Sequence, residues 1–325
     1  MKRGALLSLG AGALLLLSAC SNSQGGSEAE GADGGASAGD SGAVTLSHPS
    51  IDGLEIEFEQ QPETLVMDCY AYSSLHEYGL EPDALFGFGC DDPTIMGDAD
   101  VSGIEKVGSD GEIDMEKLAQ LRPDAVIGNG SEDGWSWFDE DVNAQLKRVA
   151  PFVPLPSTDT VDENISATRE IAEFLGADVE TDAIVQADDD LAQAKEDFTA
   201  VLGDKDLDFL LASPTKEALY TGVGFPQADL LQELGANIIG PDKPAEGNPW
   251  GEVAWEEAST YPADVILIES YDPEAPFSAE LWDTLPAVEA DQVSGWYSKG
   301  AMTSRNYADW LSDLAEKTEN YTSVS

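Results

Sequence analysis

Apolar residues fall into short dense runs, separated by stretches in which they recur at helical spacing. Val44–Glu59 alternates with period two: Val44-Thr45-Leu46, a turn around Asp52-Gly53, then Leu54-Glu55-Ile56-Glu57-Phe58. That is the pattern of a hairpin. From Pro62 the pattern changes. Thr64–Met67, Leu85–Phe88, Ala125–Ile127 and Phe152–Leu155 read as buried strands. Ser74–Leu80 and Asp114–Leu121 read as helices between them; the second carries Met115, Leu118 and Leu121 on one face and stops at Arg122-Pro123. Strand–helix–strand alternation predicts a parallel sheet covered on both faces.

Two helical stretches follow. One has Ile165, Ile171, Ala172 and Leu175 on one face up to Gly176; the other, Val179–Leu202, carries Ile184, Leu191, Ala194, Phe198 and Val201. The scheme then repeats without any tight sequence repeat. Asp208–Leu211, Ala218–Tyr220, Asn237–Ile239 and Asp264–Ile268 read as strands. Ala228–Leu234, Val253–Ser259 and Asn306–Lys317 read as helices.

The N-terminus obeys a different rule. Lys2 and Arg3 precede an apolar run from Ala5 to Leu17, and small residues lead to Cys20. This is the layout of a secretory signal, too short to span a bilayer as a helix. Leu17-Ser18-Ala19-Cys20 resembles the bacterial lipobox, which implies that Cys20 is diacylated and begins the mature chain, tethered to a membrane. Residues 20–43 are rich in Gly, Ser, Ala and acid and read as a flexible tether. Gly35-Ala36-Ser37-Ala38-Gly39 matches a nucleophile pattern, but a low-complexity tail is not the strand-to-helix elbow that pattern needs.

Charge narrows the partners. The 64 acidic residues outnumber the 15 basic ones, for a net charge of −49. Nucleic-acid binding is excluded, since it needs a basic footprint. The acids are spread along the chain. They read as a solvated surface suited to high salt, or as a field that attracts a cationic ligand. Asp188-Asp189-Asp190 reads as a solvated helix face. Besides Cys20 there are only Cys69 and Cys90, each after a strand-like run. They are either one disulfide of an exported protein or two buried thiols.

Several segments together resemble a family: the substrate-binding lipoproteins of bacterial ABC importers for iron–siderophore complexes, haem and cobalamin. Pro62–Val66 resembles the entry to that family's first strand. Val107-Gly108, Asp114–Leu118 and Leu121–Asp124 resemble a first-lobe helix and the strand after it. Gly222–Phe225 with Leu230–Ala236, Asn248–Val253 with Glu256 and Pro262–Ile266, and Leu281–Val293 resemble blocks of the second lobe. The resemblance implies an α/β fold of two Rossmann-like lobes, each a parallel sheet with helices on both faces, joined by a single long helix. Val179–Leu202 is the candidate for that helix. The implied division is a signal peptide at 1–19, a tether at 20–43, an N-terminal lobe at 44–157, a bridging helical segment at 158–203 and a C-terminal lobe at 204–325.

The function implied is extracytoplasmic capture of an iron–siderophore complex and delivery to an ABC permease, by a monomer without catalysis or cofactor. Haem or cobalamin binding on the same architecture is the alternative, and a cell-surface α/β enzyme a more distant one. In this family one glutamate per lobe docks on the permease, and Glu116 and Glu256 hold those positions. A cleft built from loops at the carboxyl ends of strands would be aromatic here. Its candidates are Tyr70, Tyr72, Trp135, Trp137, Phe225, Trp250, Tyr271, Trp296 and Tyr297. Trp250 stands where related hydroxamate-siderophore receptors place a stacking Trp. The ligand-binding arginine those receptors carry ahead of the first glutamate falls here at Asp110, leaving Arg305 and Lys299 in the last loop as substitutes. A neutral or cationic ferric hydroxamate, held by stacking and an acidic rim, fits this charge better than an anionic chelate. A related branch binds bare Mn or Zn through His clusters, and this chain has only His48 and His76.

Overall fold

The computed structural model describes residues 42–203, 205–244 and 248–325. The signal segment, Cys20 and the tether up to residue 41 lie outside the described residues.

β1 (Val44–Ser47) and β2 (Glu55–Phe58) form the antiparallel hairpin that their alternation predicts, with Leu46, Ile56 and Phe58 buried. β3 (Leu65–Asp68) runs straight into α1 (Cys69–Leu75). β4 (Ala84–Phe86), β5 (Glu105–Lys106), α2 (Met115–Leu121), β6 (Ala125–Gly128), α3 (Glu140–Val149) and β7 (Phe152–Pro154) follow. The five strands from β3 to β7 pair in the order β7-β6-β3-β4-β5, all parallel. Successive strand residues point to opposite faces. Leu65, Met67 and Ile127 therefore pack with Ala71 and Leu75 of α1, while Val66 and Val126 pack with Leu118 of α2 and Leu146 of α3.

The first helix departs from the sequence expectation of Ser74–Leu80. Asp68 ends the strand and caps the helix at once: its Oδ1 accepts the Ala71 N–H at 2.7 Å. A single 3₁₀ turn, His76–Tyr78, then closes on Gly79 at φ 79°. Tyr70 and Tyr72 consequently sit on a helix and not on a loop. Cys69 and Cys90 are joined by a disulfide with Cα atoms 5.2 Å apart, as the parallel pairing of β3 with β4 allows.

α4 (Val161–Phe174) and α5 (Asp182–Leu202) connect the two cores. α4 begins in the second core with Val161 and Ile165 and ends in the first with Ile171 and Ala172. α5 returns: Ile184 packs in the first core, and Leu191, Ala194, Phe198 and Leu202 in the second. Its 21 residues span about 31 Å at 1.5 Å per residue. The long helix thus crosses between lobes as expected, but it starts at the Thr181 cap, and the ion pairs Arg169–Asp188 and Asp162–Lys195 hold α4 beside it in the opposite sense.

The second half contains β8 (Asp208–Pro214), β9 (Leu219–Thr221), α6 (Pro226–Glu233), β10 (Asn237–Ile238), β11 (Gly251–Val253), β12 (Val265–Glu269), β13 (Val293–Trp296) and α7 (Ser304–Thr318). Its sheet runs β11-β9-β8-β12-β13, with β10 beside the start of β8. Here β9 breaks the parallel rule and pairs antiparallel with β8 and β11. The cause is length: Thr215–Ala218 closes a turn through Thr215 Oγ1, far too short for a parallel crossover. The expected helix Val253–Ser259 is a 3₁₀ helix, Trp255–Thr260, because β11 takes up Val253. α7 packs along α5, with Leu311 and Leu314 in the core that holds Phe198. Among the described residues, no helix is long and apolar enough to cross a membrane.

Candidate functional site

Loops at the carboxyl ends of both sheets enclose a cleft of about 690 Å³, within the range of small-molecule sites. The first lobe contributes Asn129 and Gly130 after β6, Ser136, and Leu155–Asp159 after β7. The second contributes Gly224–Gln227 at the start of α6, Trp250 beside β11, and Ser298, Lys299 and Met302 after β13. A groove of about 730 Å³ between β13 and α7 is larger, but one lobe builds it alone. There Tyr321 Oη and Trp310 Nε1 donate to the Val293 and Gly295 carbonyls, which covers the free edge of β13. We take the interlobe cleft as the site, because strand ends of two lobes converge on it.

Phe225 and Trp250 line the cleft, their rings 4.7 Å apart and edge to face. Trp296 is a correction to the sequence reading: it is fully buried beneath both, 5.2 Å from Phe225 and 5.7 Å from Trp250, and its Nε1 donates to the Ala212 carbonyl. It supports the aromatic wall and has no surface to offer a ligand. Gly222 makes this possible, since a Cβ there would stand 2.6 Å from the Trp296 ring.

Trp135 is likewise buried, behind Trp137 at 4.9 Å and against Phe138 at 4.5 Å. Tyr70 and Trp137, 5.9 Å apart, share one cation: Lys299 Nζ lies 5.8 Å and 5.2 Å from their ring centres. Lys299 belongs to the second lobe and lines the cleft, so this cluster joins the lobes at its edge. The same junction is tied by Ser74, whose Oγ donates to the Gly300 carbonyl and accepts the Met302 N–H, both at 3.1 Å.

Four other candidates lie elsewhere. Tyr72 points into the first-lobe core, and its hydroxyl donates to Glu81 at 3.0 Å. It had to move, because a helix in place of the expected loop turns alternate residues away from the cleft. Tyr271 and Tyr297 line the groove between β13 and α7. Arg305 lies on the first turn of α7, 3.7 Å from Glu77, instead of in the cleft. Burial pushes the Glu77 carboxyl up to about 7, against the opposing pull of the Thr303 hydrogen bond and Arg305.

The expected acidic rim is also absent among the described lining residues. Asp159 is the one carboxylate there, against Lys243 and Lys299. Lys243 is paired with Asp229 at 2.6 Å. The cleft is therefore close to neutral in a strongly acidic chain.

Sequence reasoning missed Asp68, which organises the first-lobe wall. It is fully buried, and its Oδ2 accepts from the Asn129 N–H and from Trp135 Nε1, each at 2.7 Å. A Cβ on Gly128 would come within 2.8 Å of that oxygen. The signal was visible: an acid ends the apolar run Leu65-Val66-Met67, where a helix cap belongs. Burial raises its carboxyl from 3.8 to about 6, although N–H donors from Asn129, Ala71, Trp135 and Tyr70 pull the other way. A raised folded-state value means stability that is full below pH 3.8 and lost as pH rises through about 6. About two pK units at 1.36 kcal/mol each give about 3 kcal/mol. The stability of the wild type minus that of Asp68→Asn should fall by about 2 kcal/mol between pH 4 and pH 7, read by urea unfolding. A pH-independent difference contradicts the assignment.

The two docking candidates are exposed. Glu116 is in the first turn of α2, where Asp114 caps the Glu116 and Lys117 N–H groups at 3.1 Å, and Glu256 is in the first turn of the 3₁₀ helix.

Comparison with known proteins bears on this geometry. A family profile described as "Periplasmic binding protein" matches residues 91–299. No match was found among curated protein sequences. Among solved structures, the chain is similar to DesE, a ferric-siderophore receptor protein from Streptomyces coelicolor. That match has 24% identity and a TM-score of 0.76, and covers 86% of this chain and 99% of that one. It is similar to SirA from Staphylococcus aureus, solved in complex with staphyloferrin B, at 21% identity and a TM-score of 0.62, covering 84% and 98%. It is also similar to FhuD from Vibrio cholerae, solved with Fe3+-Desferal, at 18% identity and a TM-score of 0.61, covering 81% and 100%. At these identities the structural matches speak for the fold.

Proposed function

This chain belongs to the periplasmic binding protein family, and from that premise we propose that it captures a ferric siderophore of hydroxamate type between its lobes and delivers it to an ABC importer. The observation that carries the reading is the near-neutral cleft of about 690 Å³ walled by Phe225 and Trp250. A neutral chelate with an apolar periphery gains from aromatic contact there and loses no strong charge solvation. The structural neighbours whose names or ligands are ferric siderophores support the same reading. Family members are solute-binding proteins, and nothing in the cleft requires a reaction. Lipid attachment at Cys20, holding the binder at the outer face of the membrane, follows from the sequence motif and belongs to the same proposal.

The test is tryptophan fluorescence titrated with ferrioxamine B, haem and cobalamin. Trp250 lies at the cleft wall, so quenching by ferrioxamine B at micromolar concentration or below is expected. Quenching by haem or cobalamin alone would move the substrate class, and silence across the panel would sink the importer reading.

Docking on the permease is proposed for Glu116 and Glu256. Both are exposed and neither lines the cleft. Glu116→Ala and Glu256→Ala should leave the solution affinity within about twofold of wild type and lower cellular uptake by about tenfold, as for truncating a charge at an interface. A variant that loses affinity in solution, or transports normally, contradicts the role.

A further inference from the structure

One face of the first-lobe helix reaches across to the second lobe. Tyr70, Ser74 and Glu77 recur at spacings of four and three, which sets them in a row along α1 and the 3₁₀ turn after it. Each meets a member of the segment that leads from β13 into α7. The Tyr70 ring lies under Lys299 Nζ. Ser74 holds Gly300 and Met302 through its Oγ, at 3.1 Å each. Glu77 accepts the hydroxyl of Thr303, the cap of α7, and lies 3.7 Å from Arg305 in the first turn. Lys299 and Met302 line the cleft. The row therefore fixes the second-lobe side of the cleft to the first lobe.

Glu77 is the member that packing does not explain. Its side chain is 11% exposed, whereas Arg305 is 47% exposed and beyond hydrogen-bond distance. A buried carboxylate with so loose a partner carries a desolvation cost that a glutamine of the same shape would not. The other charges around it give no relief. Asp98, from the loop ahead of β5, and Asp309 of α7 both oppose its ionisation. On its own turn, His76 is paired with Asp98 at 2.9 Å, and burial lowers it below its ordinary 6.5. Tyr78 faces Arg169 of α4 and Asp188 of α5, and burial raises it, so it stays neutral.

We propose that Glu77 is a positioning residue for ligand capture: it holds the start of α7, and through it Lys299 and Met302, against the first lobe while its carboxyl is neutral, and the hold loosens once the carboxyl is charged. This rests on the ferric-hydroxamate reading above and adds a control on it. The direction follows from burial. In the closed junction burial raises the carboxyl to about 7, and in water it has its ordinary 4.5. The closed junction binds that proton more tightly. Its advantage is therefore full below pH 4.5 and is lost as pH rises through about 7.

The experiment titrates ferrioxamine B into wild type and into Glu77→Gln at pH 5 and pH 8. The alkylammonium of the ligand titrates at about 10.4, so its charge is the same at both. Wild-type affinity should fall by about tenfold from pH 5 to pH 8, below the ceiling of about 100-fold that the two pH units between 5 and 7 allow. Glu77→Gln still accepts from Thr303 and never charges. Its affinity should change by less than about threefold, and at pH 8 it should bind about tenfold more tightly than wild type. A flat wild-type profile overturns the inference and leaves the substrate reading standing. A fall that persists in Glu77→Gln overturns it too, since another group then titrates. A variant weaker than wild type at both pH values marks a contact that only braces the fold, and overturns it as well. Carboxyl NMR of the ligand-loaded wild type should place the Glu77 midpoint near 7, and a midpoint near 4.5 overturns the inference whether or not the variant folds. Binding of ferrioxamine B at neither pH overturns the substrate reading and this inference with it.

Discussion

Trp250→Ala should weaken capture of ferrioxamine B by about 30-fold or more, the loss of about 2 kcal/mol typical of a central aromatic anchor. The ring is half-buried, edge-on to Phe225 and part of the cleft wall. Its backbone is held independently of the ring: the Trp250 N–H donates to Asn248 Oδ1 at 3.1 Å, and β11 begins at the next residue. The lobe should therefore stay folded, with an unfolding free energy reduced by no more than about 1–2 kcal/mol for the half of the side chain that packs. Fluorescence from the remaining tryptophans, or calorimetry, reads the affinity. An affinity within threefold of wild type would show that the ligand does not touch this wall.

Trp296→Ala should cost about 4 kcal/mol of stability, among the larger effects of any single truncation here. The side chain is 0% exposed, and its N–H is spent on the Ala212 carbonyl of β8. Truncation opens a cavity under Phe225 and Trp250 and orphans that carbonyl, and the two terms add. Trp296→Phe refills most of the volume and loses the N–H bond, so about 1–2 kcal/mol is expected. Urea unfolding measures both. The distinction from Trp250 is diagnostic: one ring should matter for stability first and the other for affinity first. A Trp296→Ala loss below 1 kcal/mol contradicts the buried position.

Much of the architecture was legible because burial on both sheet faces writes itself as dense apolar runs. Leu65–Met67, Ala125–Ile127 and Val265–Ile268 could be strands of little else, and all three are central or next to central. What failed was local. α1 begins at Cys69 instead of at Ser74, and every residue of that helix is buried, so no polar face shows the period. The parallel scheme fails at β9, whose four-residue connection from β8 permits only a reversal.

The site was legible to a smaller degree. Aromatic residues beside Gly or Pro in loops did point to the cleft, and Phe225 and Trp250 line it. The same criterion also selected Trp135 and Trp296, which the core absorbs, and Tyr271 and Tyr297, which line the groove along α7. Composition cannot tell the wall of a cleft from the layer behind it, since both are aromatic. Asn164 and Gln227 carry no sequence signal at all. An amide in a helix is ordinarily exposed, and only the packing of α4 and α6 makes these two buried.

The central claim is that the space between the lobes is the ligand site. A crystal structure of the protein with ferrioxamine B tests it most directly. The chelate is expected against Phe225 and Trp250, facing Asn129 and Leu155 across the cleft. A chelate seated instead in the groove between β13 and α7, against Tyr271 and Tyr321, would contradict it.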